Sequence, residues 1–127
     1  MDDIYRENIL DHYKNPRNFG KLNKPTGKCK LHNSACGDVI SMEVKTESKS
    51  SGGLTIADIK FQGEGCAVSI ASASLLTSFV KGKKVKDILT MGTEDILKLL
   101  GITLTPSRLK CALLPLETLQ KTLLQIK

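Results

Sequence analysis

The segments Val39-Ile40-Ser41-Met42-Glu43-Val44-Lys45 and Leu54-Thr55-Ile56-Ala57-Asp58-Ile59-Lys60-Phe61 decide the fold. Each alternates apolar and polar side chains, the first of them after its initial residue. That is the pattern of a strand with one buried face. Between them runs Ser48-Lys49-Ser50-Ser51-Gly52-Gly53, a turn-forming stretch. The simplest arrangement is an antiparallel pair joined by that loop, with Lys28 to Asn33 adding a third strand.

Helices flank this sheet. Residues 3–14 place Ile4, Ile9, Leu10 and Tyr13 near helical spacing, with Asp2 and Asp3 at the positive N-terminal end. Asn15-Pro16 stops that helix, because a residue before proline is pushed out of the α region. After the break at Gly63-Glu64-Gly65, residues 66–80 read as a helix whose buried side carries Val68, Ala71, Leu75, Leu76, Phe79 and Val80, and Gly82 ends it. Val85 to Leu89 and Thr93 to Leu100 read as short helices. The last helix is expected over about residues 112–125, with Leu113, Leu116, Leu119 (or Gln120) and Leu123 along one face. Pro115 is tolerated in a first turn, which places the helix start near residues 111–113; the alternative is a longer helix kinked at Pro115. Strands first and helices after make an α+β domain. No repeat or linker divides it, so residues 1–127 form a single domain.

Composition narrows the function. The 127 residues are 40% hydrophobic and 25% charged, ordinary globular usage. Aromatics are scarce, so the core rests on Leu, Ile, Val and Ala. The net charge of +6 raises nucleic acid as a partner, but the lysines are scattered and not interleaved with stacking aromatics, which argues against it. Acidic protein partners suit such a surface. No window has the ~18 apolar residues of a membrane span. The N-terminus lacks the basic start and apolar stretch of a signal peptide, so the expected location is cytoplasmic. Thiols stay reduced there, and the four cysteines are ligands or nucleophiles before disulfides.

Three of those cysteines sit in suggestive settings. Cys36-Gly37-Asp38 enters a strand, where residues two apart share a side, so a thiolate and a carboxylate can reach one ion together. Cys66 opens a helix, where free N–H groups and the dipole favour thiolate, the form that binds metal. Cys111 is expected at the positive end of the last helix. Three thiolates and a carboxylate suit Zn²⁺ or an iron–sulfur cluster. A carboxylate holds a soft load less firmly than a fourth thiolate, which would help a site release it. The ligands are far apart in sequence, unlike a zinc ribbon. Spacing by itself therefore leaves metal binding and inert buried cysteines both open.

These stretches resemble the IscU/SufU/NifU-type iron–sulfur scaffolds. Asp11-His12-Tyr13-Lys14-Asn15-Pro16-Arg17-Asn18 looks like their N-terminal signature and Ala35-Cys36-Gly37-Asp38 like the first ligand loop. Gly65-Cys66 with Ser69 to Ser74 looks like the second ligand and its helix, ended by Val80-Lys81-Gly82-Lys83. Arg108-Leu109-Lys110-Cys111 matches the third-cysteine segment. The resemblance implies antiparallel strands packed on helices, with the cysteines converging at one tip. It implies that Cys36, Cys66 and Cys111 bind a [2Fe–2S] cluster or Zn²⁺, with Asp38 a ligand or a control on lability. It implies a cysteine desulfurase as sulfur donor, Cys111 as the tentative persulfide acceptor, and apo iron–sulfur proteins as recipients, the chain being a monomer or weak homo-oligomer.

Two subtypes of that family mix here. In the IscU type a histidine precedes the third cysteine; here that residue is Lys110. Leu104-Thr105-Pro106-Ser107-Arg108 replaces a Leu-Pro-Pro-Val-Lys chaperone-docking motif, which leaves recognition by an Hsp70-type chaperone doubtful. Both departures, and Tyr5-Arg6 near the start, look like the SufU type, a zinc protein that relays sulfur. The insertion that SufU-type chains carry between the second and third cysteines is missing. The expected function is therefore a scaffold, with a zinc-dependent sulfur acceptor as the alternative and a structural zinc domain with a basic surface as a distant third. A carrier is favoured over an enzyme. Cys29 and His12 are expected to be structural, as is His32. Arg108 and Lys110 are each as readily exposed charges as site residues. The Ser/Ala-rich stretch 69–74 is expected to serve close helix packing.

Overall fold

The computed structural model describes residues 3–33, 37–49 and 52–126. In chain order the elements are α1 (Asp3–Lys14), β1 (Gly27–Asn33), β2 (Asp38–Ser48), β3 (Leu54–Glu64), α2 (Ala67–Val80), α3 (Val85–Leu89), α4 (Thr93–Leu100) and α5 (Pro106–Leu124). The three strands form one antiparallel sheet in the order β1-β2-β3. Register is fixed by pairs such as Cys29 with Met42 and Val44 with Ile59. A shift between Lys45 and Thr46 interrupts the β2–β3 ladder and bends its far end.

Alternation holds along β2 and the second half of β3, but Thr55 and Ile56 are buried in succession beside the register shift. Ile40, Met42 and Val44 are fully buried on one face of β2, joined by Ile59 and Phe61 of β3. A one-residue slip would turn all of them to solvent, so burial fixes the register. The helices cover this face. α5 packs on β1 and β2, and α2 lies against both α5 and α1. At the outer edge of β3, Phe61 N–H donates to Asn18 carbonyl and Gly20 N–H to Phe61 carbonyl, each at 2.9 Å, so the segment after α1 pairs with that edge.

The α2 helix differs from its expected face. Phe79 is 43% exposed, with the Lys83 ammonium 5.0 Å from its ring centroid. The stretch from Ser69 to Ser74 is buried throughout. Small side chains let two helices approach α2 from different sides. Ser72 Oγ donates to the carbonyl of Ala112 on α5 at 2.7 Å, and Ser74 Oγ meets His12 Nδ1 of α1, also at 2.7 Å. The expected close-packing role of 69–74 is what the structure has.

The second difference is α5. It begins at Pro106 and runs 19 residues with Pro115 inside it. Thr105 is the N-cap and Pro106 the first helical residue, where a missing N–H costs nothing. Cys111 therefore lies in the second turn of a longer helix, not at its positive end. Pro115 is buried with Leu114 and Leu116, and that apolar packing holds it within the helix. A proline interior to a helix costs roughly 3 kcal/mol, within reach of two or three buried leucines.

Candidate metal centre

The pairing of Val39 with Glu64 brings the start of β2 beside the end of β3. Asp38 and Gly65-Cys66 consequently meet at one end of the sheet. Gly37 has φ 72°, in the left-handed region that favours glycine. The backbone is thus not extended at Gly37, just ahead of β2. Cys36 itself lies outside the described residues.

Cys66 is the N-cap residue of α2, with extended φ and ψ of −72° and 166°. Its N–H donates to Asp38 Oδ1 at 3.0 Å. The other carboxylate oxygen, Oδ2, lies 3.9 Å from Cys66 Sγ. Ser69 Oγ, one turn into α2, donates to the Cys66 carbonyl at 3.1 Å and sits 4.0 Å from its sulfur. Cys111 approaches from α5, its thiol directed to the Ser107 carbonyl at 3.7 Å. Asp38, Cys66 and Cys111 each offer a ligand atom, and these atoms lie within 4.8 Å of one another.

Gly65 makes this approach possible. A Cβ there would collide with Asp38 Oδ1 and lie 2.6 Å from Ser69 Oγ. In the sequence Gly65 breaks the strand pattern and precedes the second cysteine, without naming what it approaches. Its signal was present in the Gly-x-Gly spacing ahead of the cysteine, since a glycine in a strand end marks close backbone approach.

The donor set fits a metal. Asp38 is 1% exposed and has no ion-pair partner among the described residues. A buried carboxylate is stable when paired with or bound to a cation. Thiolates from Cys66 and Cys111 would suit a soft cation there, Zn²⁺ or iron. With Zn–S bonds of about 2.3 Å, tetrahedral ligands sit about 3.8 Å apart. The Cys66–Asp38 separation already has that value, and the widest pair would close by about an ångström.

The other candidates lie elsewhere. His12 is buried against Ser74, and desolvation together with the Arg17 guanidinium holds its pKa below the ordinary imidazole value. His32 is exposed on β1, and Cys29 is half-buried on the same strand opposite Met42. Lys110 and Arg108 are exposed, and Arg108 makes no ion pair with Asp38.

Residues 4–127 match the NifU-like N terminal domain. The chain is 39% identical to the zinc-dependent sulfurtransferase SufU of Bacillus subtilis, over 95% of this chain and 90% of that one. The alignment spans 138 positions, more than the 127 residues here, so the relative carries residues without a counterpart. The chain is also 39% identical to the iron–sulfur cluster assembly scaffold protein IscU of Aquifex aeolicus, over 91% of this chain and 71% of that one. A crystal structure from Fervidobacterium islandicum, provisionally assigned as an iron–sulfur cluster assembly scaffold of the SUF system, superposes with a TM-score of 0.77. It is 26% identical and covers 95% of this chain and 97% of that one.

Proposed function

Because the chain belongs to the NifU-like N-terminal domain family, we propose that it assembles a [2Fe–2S] cluster on Cys36, Asp38, Cys66 and Cys111 and passes it to apo-proteins. The observation that carries this reading is the convergence of Asp38, Cys66 and Cys111 within 4.8 Å at one end of the sheet. The cluster is cargo, and the site must both hold and release it. Two soft ligands brought by α2 and α5 supply the holding. Asp38 is the weaker member, and one of its oxygens is already engaged by the Cys66 N–H.

Sulfur arrives from a cysteine desulfurase. The receiving thiolate attacks the outer sulfur of the donor's persulfide; the donor's S–S bond breaks, its cysteine leaves as thiolate, and the sulfur remains as a persulfide on the scaffold. Conversion of that sulfur to sulfide draws electrons from an external reductant. Cys111 is the proposed receiver. It is 2% exposed, whereas Cys66 is half-buried, so reception at Cys111 requires the end of the sheet to open.

A second reading has its own support. The SufU relative matches over nearly all of both chains, and Lys110 stands before the third cysteine. In that reading Zn²⁺ holds the thiolates until a donor displaces one, which then takes the sulfur. One measurement separates the two: metal and acid-labile sulfide in protein purified without oxygen. Iron and sulfide in equal amounts support the scaffold. Zinc at about one per chain without sulfide supports the sulfur relay. Protein with neither, unable to take up either one, defeats both.

A further inference from the structure

Beside the thiols lies a cleft of about 260 Å³, bounded by α1, the first turn of α2, the 101–105 connection and the first turn of α5. Its floor is aliphatic: Ile9 and Leu10 from α1, Val68 from α2, and Ile102 and Leu104 from the connection. Arg6 and Arg108 stand on its rim, both exposed. Among the described residues neither arginine makes an ion pair. No carboxylate among the described residues lines the cleft. Leu10 is 42% exposed, and Tyr13, one turn along α1, is equally so, which extends the apolar surface outward. Across Ile102 and Thr103 a second depression carries Leu97 and Lys98, again without an acid.

Position gives this surface its meaning. Val68 is two residues beyond Cys66, and Arg108 precedes Cys111 by one helical turn. A chain lying in the cleft would have its neighbouring residues over the thiol end of the sheet. We propose that the cleft docks an extended segment of a recipient apo-protein, with an aliphatic side chain in the floor and flanking carboxylates against Arg6 and Arg108. This rests on the reading of the thiol site as a carrier. The charge follows from two exposed guanidiniums with no ion-pair partner among the described residues, and apolar surface with a charged rim marks an interaction site. The extended form follows from the recipient's own state. A metal site is seldom preformed before it is loaded, so an unloaded recipient presents flexible chain around its ligands. One anchor and two rim charge pairs make a weak, salt-sensitive contact, as a hand-over requires.

The test uses the full chain and the peptide acetyl-Gly-Asp-Glu-Leu-Leu-Asp-Gly-amide as probe, followed by amide chemical shifts. The expected result is saturable shifts at Leu10, Val68, Ile102 and Leu104. Affinity should fall about tenfold for Leu10→Ser, and by at least as much for Arg6→Glu combined with Arg108→Glu or when serines replace the peptide leucines. Absence of shifts at millimolar peptide, or equal affinity in all variants, overturns the proposal. So does a Leu10→Ser chain that binds peptide normally but no longer stimulates a cysteine desulfurase, because the cleft would then belong to the sulfur donor. Peptide binding does not depend on the metal, so failure of the carrier reading shows separately, as a chain that docks peptide but takes up neither zinc nor iron.

Discussion

Asp38 holds Cys66 by two different atoms: Oδ1 accepts the Cys66 N–H at 3.0 Å, and Oδ2 stands 3.9 Å from the Cys66 sulfur. One oxygen ties the start of α2 to the start of β2, and the other faces the thiols. In the proposed site, structure and ligation would therefore share one side chain. Asp38→Asn keeps an acceptor for the N–H but removes the charge, whereas Asp38→Ala removes both. Asp38→Ala should destabilise the metal-free chain by about 1–3 kcal/mol, with Asp38→Asn costing less. Both should bind zinc at least tenfold more weakly. Urea denaturation and chelator competition measure the two effects. Equal loss of stability in both variants would contradict the shared role.

Gly65 should tolerate no side chain. The Cβ of Gly65→Ala would push against Asp38 Oδ1 and Ser69 Oγ, an overpacking worth about 1–3 kcal/mol. The carboxylate would be displaced from the thiols, so zinc affinity should fall along with stability. Ser69→Gly in the Gly65→Ala background relieves one of the two collisions and should recover part of the loss. A Gly65→Ala chain with unchanged melting and metal affinity would remove the close approach from the account of the site.

Acid should loosen α1 through His12. Ser74 Oγ accepts the Arg17 N–H at 2.8 Å and can give its own proton to His12 Nδ1 at 2.7 Å, which suits the neutral ring. Desolvation, then the Arg17 charge, lower the His12 pKa from 6.5, while Asp11 opposes them. The unfolded chain then binds the extra proton between the folded pKa and 6.5. This contribution to stability is complete above 6.5, is lost as pH falls through it, and levels off below the folded pKa. The slope cannot exceed about 1.4 kcal/mol per pH unit for one group. Denaturation between pH 8 and pH 5 should show it, and His12→Gln should flatten that part of the curve. A slope unchanged by the substitution would assign the effect elsewhere.

The order of sulfur arrival can be read by mass spectrometry after brief exposure to a persulfide-bearing desulfurase. Cys111 should carry the first added sulfur, and Cys111→Ser should abolish stimulation of the donor. First labelling at Cys66, the more accessible thiol, would reverse the assignment.

Much of this was legible in the sequence because strand alternation and proline breaks are local signals. β2 and β3 were visible from Ile40, Met42, Val44, Ile59 and Phe61, and the end of α1 from Pro16. The start of α5 departs from the first-turn placement of Pro115 and follows the longer-helix alternative, because tertiary packing of Leu114 and Leu116 outweighs the cost of an interior proline. Thr105-Pro106, an N-cap with proline at the first helical position, was the signal that could have found it. Phe79 was misplaced because a helix buried on several sides has no single apolar stripe for periodicity to find. Asp38, Cys66 and Cys111 were legible as ligand types. That Asp38 also accepts the Cys66 N–H, in the room Gly65 leaves, was only half legible: the Gly-x-Gly spacing marks a close approach but does not name a side chain 27 residues away.

The ladder that joins Val39 to Glu64 sets Asp38 beside Cys66, but Cys111 is delivered only by α5. A ribosome making this chain must release dozens of residues beyond Cys66 before that last thiol can swing into place. Until then the nascent chain holds an open corner that cannot close around an ion. Metal uptake would thus report that synthesis has passed α5 and that the helix has docked, before any cargo is entrusted to the site.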